Sequence, residues 1–419
     1  MKKMIWLITA SVIAVGLIFG GFLIYDKHKM AKALDLPMVY VETENQEDIV
    51  SKDDYLNCKI SISNTKEEFE LENESARIKG RGNSTWFEYS KKPYKIKFDN
   101  KVDLFGNGKA KEWTLIANHG DQSLMRNYLA YTLASQMEDL KYTTTTQFVD
   151  LYVNDKYTGV YLLCEQVEVG SNRVDIDEDL TTLDTGYLLE LDDKIRLEGE
   201  ENKDWFYSGG ESFAIKSPDT EDEEFTDEHL TYIKNYMDNC FSILKSNNYQ
   251  AVQEVIDVNS FADSYILNEL FKTTDVFMSS FYVYKDAGLK LCSGPVWDYD
   301  LSSGNCMYDN HSTETDYLYA KRNVFYNLLL NYDEFEELVS EKLAGYKTKI
   351  EDTIESSIEF VKENYSRSIE RNFDRWKIQG IYVWGNSKKV ASIDSWEGQV
   401  EFLKDWLFES LDYMVEVYI

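Results

Sequence analysis

Along the first half of the chain, apolar and polar residues alternate with a period of two. Along the second half the period is helical. Residues 37–42 and 53–63 read as strands, the second with Leu56, Cys58, Ile60 and Ile62 on one face. An acidic connection at 64–74 follows. A strand at 76–80 then runs into the glycine-containing turn Arg81-Gly82-Asn83-Ser84-Thr85-Trp86. Residues 91–98 form the next strand, with Lys95 and Lys97 on one face and Tyr94, Ile96 and Phe98 on the other. A strand is expected at 113–118, and Asp121 or Ser123 is placed to cap a helix reaching about Leu140. Residues 148–153 and 157–163 flank Asn154-Asp155-Lys156 as a hairpin, and Glu165 ends its second strand. A short strand at 187–191 precedes a polar, exposed excursion at 192–210.

The texture changes at the acidic linker 218–228. Helices are expected at 226–245, 249–255, 260–273, 323–331, 332–364 and 394–417. Residues 365–376, with Arg367, Arg371 and Arg375 at four-residue spacing, continue the fifth of these. One hairpin interrupts the helices, with strands at 281–285 and 289–297 around Asp286-Ala287-Gly288. No repeat of 20–50 residues is visible. The expected fold class is α+β, with a β-rich half at 37–217, a mainly helical half at 218–419, and the site between them.

The N-terminus adds a membrane element. Lys2 and Lys3 precede an uncharged apolar run at 4–25, long enough to span a bilayer. Residues 1–30 are read as a single-pass anchor and 31–36 as a linker, with the remaining chain outside the cytoplasm. Ala31-Lys32-Ala33 offers a small-x-small site, so secretion after signal cleavage is the alternative. The net charge of −31 argues against nucleic acid and against adhesion to anionic lipid, because both attract Lys and Arg. Five cysteines, scattered without a C-x-x-C pair, form neither a zinc pattern nor a disulfide framework. The odd count leaves at least one thiol free or paired with another chain.

Two stretches carry candidate chemistry. The hairpin at 281–297 brings together its flanks, and so Asp275 approaches Asp298 and Asp300. Facing carboxylates suit a magnesium–phosphate reaction. They suit a glycosidase equally, and solvated turn carboxylates are common in a chain with 75 acidic residues. The second stretch is the turn after residue 80. Its glycines and the donors Arg81, Asn83, Ser84 and Thr85 suit a phosphate cradle, with a lysine of the next strand in reach. A plain turn between strands has the same composition.

Five motifs in order then resemble one family: Lys79–Trp86 (KGRGNSTW), Lys91–Phe98 (KKPYKIKF), Asp121–Asn127 (DQSLMRN), Val149–Leu163 (VDLYVNDKYTGVYLL) followed by Glu165, and Gly294–Asp300 (GPVWDYD). The chain resembles the CotH family, spore-coat-type, kinase-like proteins. The resemblance implies an atypical protein-kinase-like two-lobed fold. It also implies ATP with Mg2+ or Mn2+, and transfer of the γ-phosphate to Ser or Thr hydroxyls of a protein of the envelope, coat or secreted fraction. On that template Asp275 is the catalytic carboxylate, and Asp298 and Asp300 hold the metal. Ser280 stands where the kinase pattern has an asparagine ligand, a poorer donor for magnesium. Arg81, Gly82, Asn83 and Ser84 hold phosphates together with Lys97, with Lys95 and Lys92 as alternatives, and Glu165 marks the hinge beside the adenine. The Ser280 departure also admits a non-catalytic, pseudokinase-like surface module.

Overall fold

A computed structural model describes residues 36–193, 197, 204–308 and 310–419. The expected anchor at 1–30 and most of the linker lie outside the described residues. Among those described, no helix is long and apolar enough to cross a membrane.

The period-two segments become β1 (Met38–Thr43), β2 (Leu56–Ser63), β3 (Leu71–Gly80), β4 (Tyr94–Asp103), β5 (Lys109–Ile116), β6 (Thr146–Val153) and β7 (Lys156–Glu165). They close into a barrel in the order β1-β2-β3-β4-β5-β7-β6. The closing contact is parallel, β1 on β6, with Val39 opposite Leu151. Inward positions such as Val41, Ile60, Ile78, Phe98, Trp113 and Leu163 fill the interior. Each such side chain contributes on the order of 2–3 kcal/mol by leaving water.

A second sheet is built from β8 (Tyr187–Leu191), β9 (Trp205–Ser208), β10 (Glu211–Ser217), β11 (Phe281–Lys285) and β12 (Cys292–Ser293), in the order β12-β11-β8-β10-β9. Its strands come from both sides of the 217/218 boundary. Around it lie α3 (Asp227–Leu244), α4 (Tyr249–Val255), α5 (Val258–Phe271), α6 (Val324–Leu329), α7 (Asp333–Arg375), α8 (Lys388–Ala391) and α9 (Trp396–Tyr418). The chain is thus mixed α+β, β-rich at its N-terminal side and helical at its C-terminal side.

Helix α7 runs 43 residues because Phe335, Val339, Leu343, Tyr346, Ile350, Ile354, Ile358 and Val361 recur every three or four positions without a proline. That is about 65 Å of rod. Its last turns fasten the barrel. Ser368 Oγ donates to Asp150 Oδ2 at 2.8 Å, Arg371 pairs with Asp150, and Asn372 Oδ1 accepts from Val160 N at 3.1 Å and from Lys91 Nζ at 3.0 Å. Lys91 also donates to the carbonyls of Ala117 and Val160. Burial pushes its ammonium down to about 7.

Several elements differ from the sequence reading. Residues 71–74 extend β3, although their alternation is obscured by acidic side chains on an exposed stretch. The expected helix from 121 to 140 shrinks to α2 (Arg126–Ala134), because residues 121–125 fold into a buried polar loop. The excursion at 192–210 contains β9, which pairs with β10 through Phe206 opposite Phe213. Only Cys292 and Ser293 pair with β11, so most of 289–297 is irregular. Ser395 caps α9, accepting from Gly398 N at 3.2 Å, so the helix begins at Trp396 rather than at 394. All five cysteines are buried and none is in a disulfide. Burial pushes the thiols of Cys58, Cys164 and Cys240 up to about 12.

Candidate active site

The turn after β3 forms one wall of a cleft of about 640 Å³. Gly80 has no room for a Cβ, which would enter the ring of Trp86. Gly82 sits at φ +82, where a Cβ would meet Thr85 Oγ1. The turn runs into α1 (Ser84–Glu88). Lys52 reaches it from outside the motif, donating to Asn83 Oδ1 at 3.0 Å. Arg81 lies over the Trp297 ring at 5.5 Å and faces Asp298.

The opposite wall carries the carboxylates. Asp275, Ser280, Asp298 and Asp300 all line the same cleft. Ser280 at φ +57 and Asp298 at φ +71 hold left-handed backbone. Such residues cost on the order of 1–3 kcal/mol each and persist where surroundings over-determine them. Here the surroundings are explicit. Asp298 N donates to Tyr131 Oη at 3.2 Å, and Ser280 Oγ donates to Asp298 Oδ2 at 3.3 Å. Tyr299 N donates to Asn127 Oδ1 at 2.8 Å, and Asn305 Nδ2 donates to the Asp300 carbonyl at 2.9 Å. Arg126, fully buried, donates through Nε to Ser302 O at 3.0 Å and through Nη2 to Ser303 O at 3.2 Å. The DQSLMRN segment therefore holds the 298–303 loop from behind.

The electrostatics are those of an incomplete site. Burial, then Asp298, Asp121 and Asp275, push Asp300 well above the usual carboxylate range. Burial also raises Asp298, against the opposing pull of Arg81 and of bonds from Ser280 and Asp300. A third wall comes from the second sheet, where Lys216 pairs with Glu190 at 3.2 Å. His119, buried at the cleft edge, is pushed down to about 3 by burial and by Lys91 and Lys92. Among the described residues no three His, Cys, Asp or Glu side chains converge to cage an ion by themselves. Two carboxylates with a hydroxyl beside them fit magnesium, which keeps waters and takes further oxygens from substrate phosphates.

The cleft thus gathers Arg81, Gly82, Asn83, Ser84, Asp275, Ser280, Asp298 and Asp300. It leaves out four expected residues. Lys95 and Lys97 point from β4 to the outside of the barrel, where both pair with Glu112, Lys97 at 2.6 Å. Inward positions Ile96 and Phe98 occupy the other face, so the expectation of a phosphate-binding Lys97 or Lys95 does not fit this placement. Lys92 donates to Trp86 O and sits over that ring at 5.4 Å. Glu165 is buried and paired with Arg173 at 2.5 Å, away from the cleft lining. Sequence reasoning missed Lys52, Lys216, Glu190 and the support from Arg126 and Asn127. Only the last two carried a signal, a dense run of polar residues ahead of a helix.

Fold and cleft together define a mixed α+β protein that sets a basic glycine turn against a carboxylate pair. The family model described as CotH kinase protein matches residues 77–414, so the chain belongs to the CotH kinase family. A search of curated proteins gave no match.

Proposed function

We propose that this protein is a kinase that transfers the γ-phosphate of ATP to a Ser or Thr hydroxyl of a protein acceptor. The carrying observation is the convergence of Asp275, Asp298 and Asp300 with the Arg81–Thr85 turn in one cleft. In this reading the barrel acts as the N-lobe and the helical part as the C-lobe of a kinase-like pair. Asp298 and Asp300 hold the divalent cation, with Ser280 at their side. When bound, Mg2+ or Mn2+ supplies positive charge to the phosphate oxygens. Arg81 and the backbone N–H groups of the turn orient the β- and γ-phosphates. Asp275 orients the acceptor hydroxyl and takes its proton as oxygen bonds to the γ-phosphorus. The bond from that phosphorus to the bridging oxygen breaks, and ADP leaves with the electron pair. Positioning and charge neutralisation provide most of the acceleration. The protein acceptor is reached outside the cytoplasmic membrane, the side on which the N-terminal run would leave the domain.

A second reading, a non-catalytic binding module, is favoured by Ser280 in place of an amide ligand. The test is labelling of protein by [γ-32P]ATP and the full-length chain with Mg2+ or Mn2+. Incorporation that Asp275→Asn abolishes supports the kinase. Thermal stabilisation by ATP–Mg2+ without incorporation into any acceptor supports the module, and equal labelling by wild type and Asp275→Asn would falsify the assigned roles.

A further inference from the structure

The lysines that the sequence assigned to the cleft stand on the outer face of the barrel, and other cations stand with them. β3 and β4 pair with Arg77 opposite Lys97 and Lys79 opposite Lys95. Directly opposed side chains lie about 5 Å apart at Cβ, and like charges there are destabilising. Arg77 and Lys79 also share the ring of Tyr55, at 5.4 and 4.7 Å. One carboxylate, Glu112, serves both Lys95 and Lys97.

A cavity of about 250 Å³ adjoins this block, lined by Lys97, Lys101, Lys109, Lys111 and Arg173 among others. Lys101, Lys109 and Lys111 are exposed and make no ion pair among the described residues. The second carboxylate here, Glu168, is pushed up to about 7 by burial and by Glu112, and lies 3.5 Å from Arg173 Nε. In a chain of net charge −31 this is a local reversal of sign. Opposed like charges persist at a cost in stability, which a ligand of the other sign removes.

The overall charge selects the ligand. A long, uniform polyanion meets the acidic surface beyond the patch and is repelled. A short segment bearing compact dianions stays inside it, because exposed charges more than about 8 Å away are screened at physiological salt. β3 runs from Lys79 through Gly80 into Arg81, so the face and the cleft wall share a strand. We propose that the outer face of β3–β5 binds phosphorylated Ser or Thr side chains of an extended polypeptide. Alternate residues of such a peptide lie about 7 Å apart, matching Lys79 and Arg77 along the strand. The inference rests on the kinase reading for its source of phosphoprotein, and makes the acceptor one that stays bound after modification.

The test is fluorescence anisotropy of the full-length chain with a labelled peptide carrying three phosphoserines at alternate positions. We expect salt-sensitive binding, at least tenfold weaker for the unphosphorylated peptide and not displaced by ATP–Mg2+. The double variant Lys79→Gln/Lys95→Gln, and separately Lys101→Gln/Lys109→Gln, should weaken binding at least tenfold without lowering Tm. Unchanged affinity in both variants overturns the proposal. So does displacement by ATP–Mg2+, or tighter binding to phosphatidylglycerol vesicles or duplex DNA that the same substitutions abolish. No turnover is required. Binding without any phosphoryl transfer overturns the kinase reading alone, and transfer without binding overturns this inference alone.

Discussion

Buried carboxylates occur in two settings in this protein. Asp121 and Glu269 are each surrounded by donors. Asp121 accepts from Ser123 N at 3.0 Å, Ser123 Oγ at 2.5 Å, Arg126 N at 2.9 Å and Arg126 Nη1 at 2.5 Å. Glu269 accepts from Lys272 Nζ at 2.8 Å, Tyr319 N at 2.9 Å and Ala320 N at 2.7 Å. Asp298 accepts from Ser280 Oγ at 3.3 Å and Asp300 from the Leu301 backbone, but their electrostatic neighbours are each other, Asp121, Asp275 and Glu190, with Arg81 as the opposing cation. A complete donor set makes a buried carboxylate a structural joint. An incomplete one, on strained backbone beside a cleft, leaves charge for a ligand to neutralise.

Exchanging the two settings gives the largest expected effects. Asp298→Asn should lower phosphoryl transfer roughly a thousandfold, the scale of losing one preorganised electrostatic partner. Its Tm should hold or rise, since repulsion is removed. Asp121→Asn should do the reverse, costing about 3–5 kcal/mol in urea unfolding because the Arg126 guanidinium is left buried without its counter-ion. If both variants lose stability alike, the distinction collapses.

The next effect in size concerns pH. Asp300 has a folded pKa above its unfolded value. Its contribution to stability is therefore fully present below the unfolded value and is lost as pH rises through the folded one. In EDTA the Tm should fall as pH rises above the usual carboxylate range. Added Mg2+ should restore it at pH 8, by about 2.7 kcal/mol at a hundredfold excess over Kd. A Tm that is flat with pH, with no metal effect, would remove the case for a cation site.

The smallest effect separates the two groups of cations. Arg81→Ala should raise KM for ATP about tenfold, the scale of one charge-assisted contact. Lys97→Ala should change it less than about twofold and shift stability by under about 1 kcal/mol, as for other partly exposed ion pairs. A larger KM effect at Lys97 would return that residue to the phosphates.

How far the fold was legible depended on whether the signal was local. The Asn154-Asp155 turn between β6 and β7 was read from its own residues, and the helical face of α7 through residue 375 from its own repeat. The parallel β1–β6 closure joins strands more than a hundred residues apart and leaves no trace in either. β9 was missed because its four residues follow a polar stretch and its apolar partner, Phe213, lies on another strand. The site divided the same way. Asp275, Asp298 and the glycine turn were visible as motifs. Lys95 and Lys97 were correctly placed on one face of a strand, but a period of two does not say which face looks at the ligand. Lys216 and Lys52 had no motif around them and enter the cleft region only through the fold.

The five buried cysteines have a practical consequence. With raised pKa values they carry little thiolate, so they are slow to oxidise or to exchange. The described fold uses no disulfide, so neither a reducing nor an oxidising milieu supplies or removes a cross-link within it. The domain therefore holds the same covalent framework on either side of a membrane.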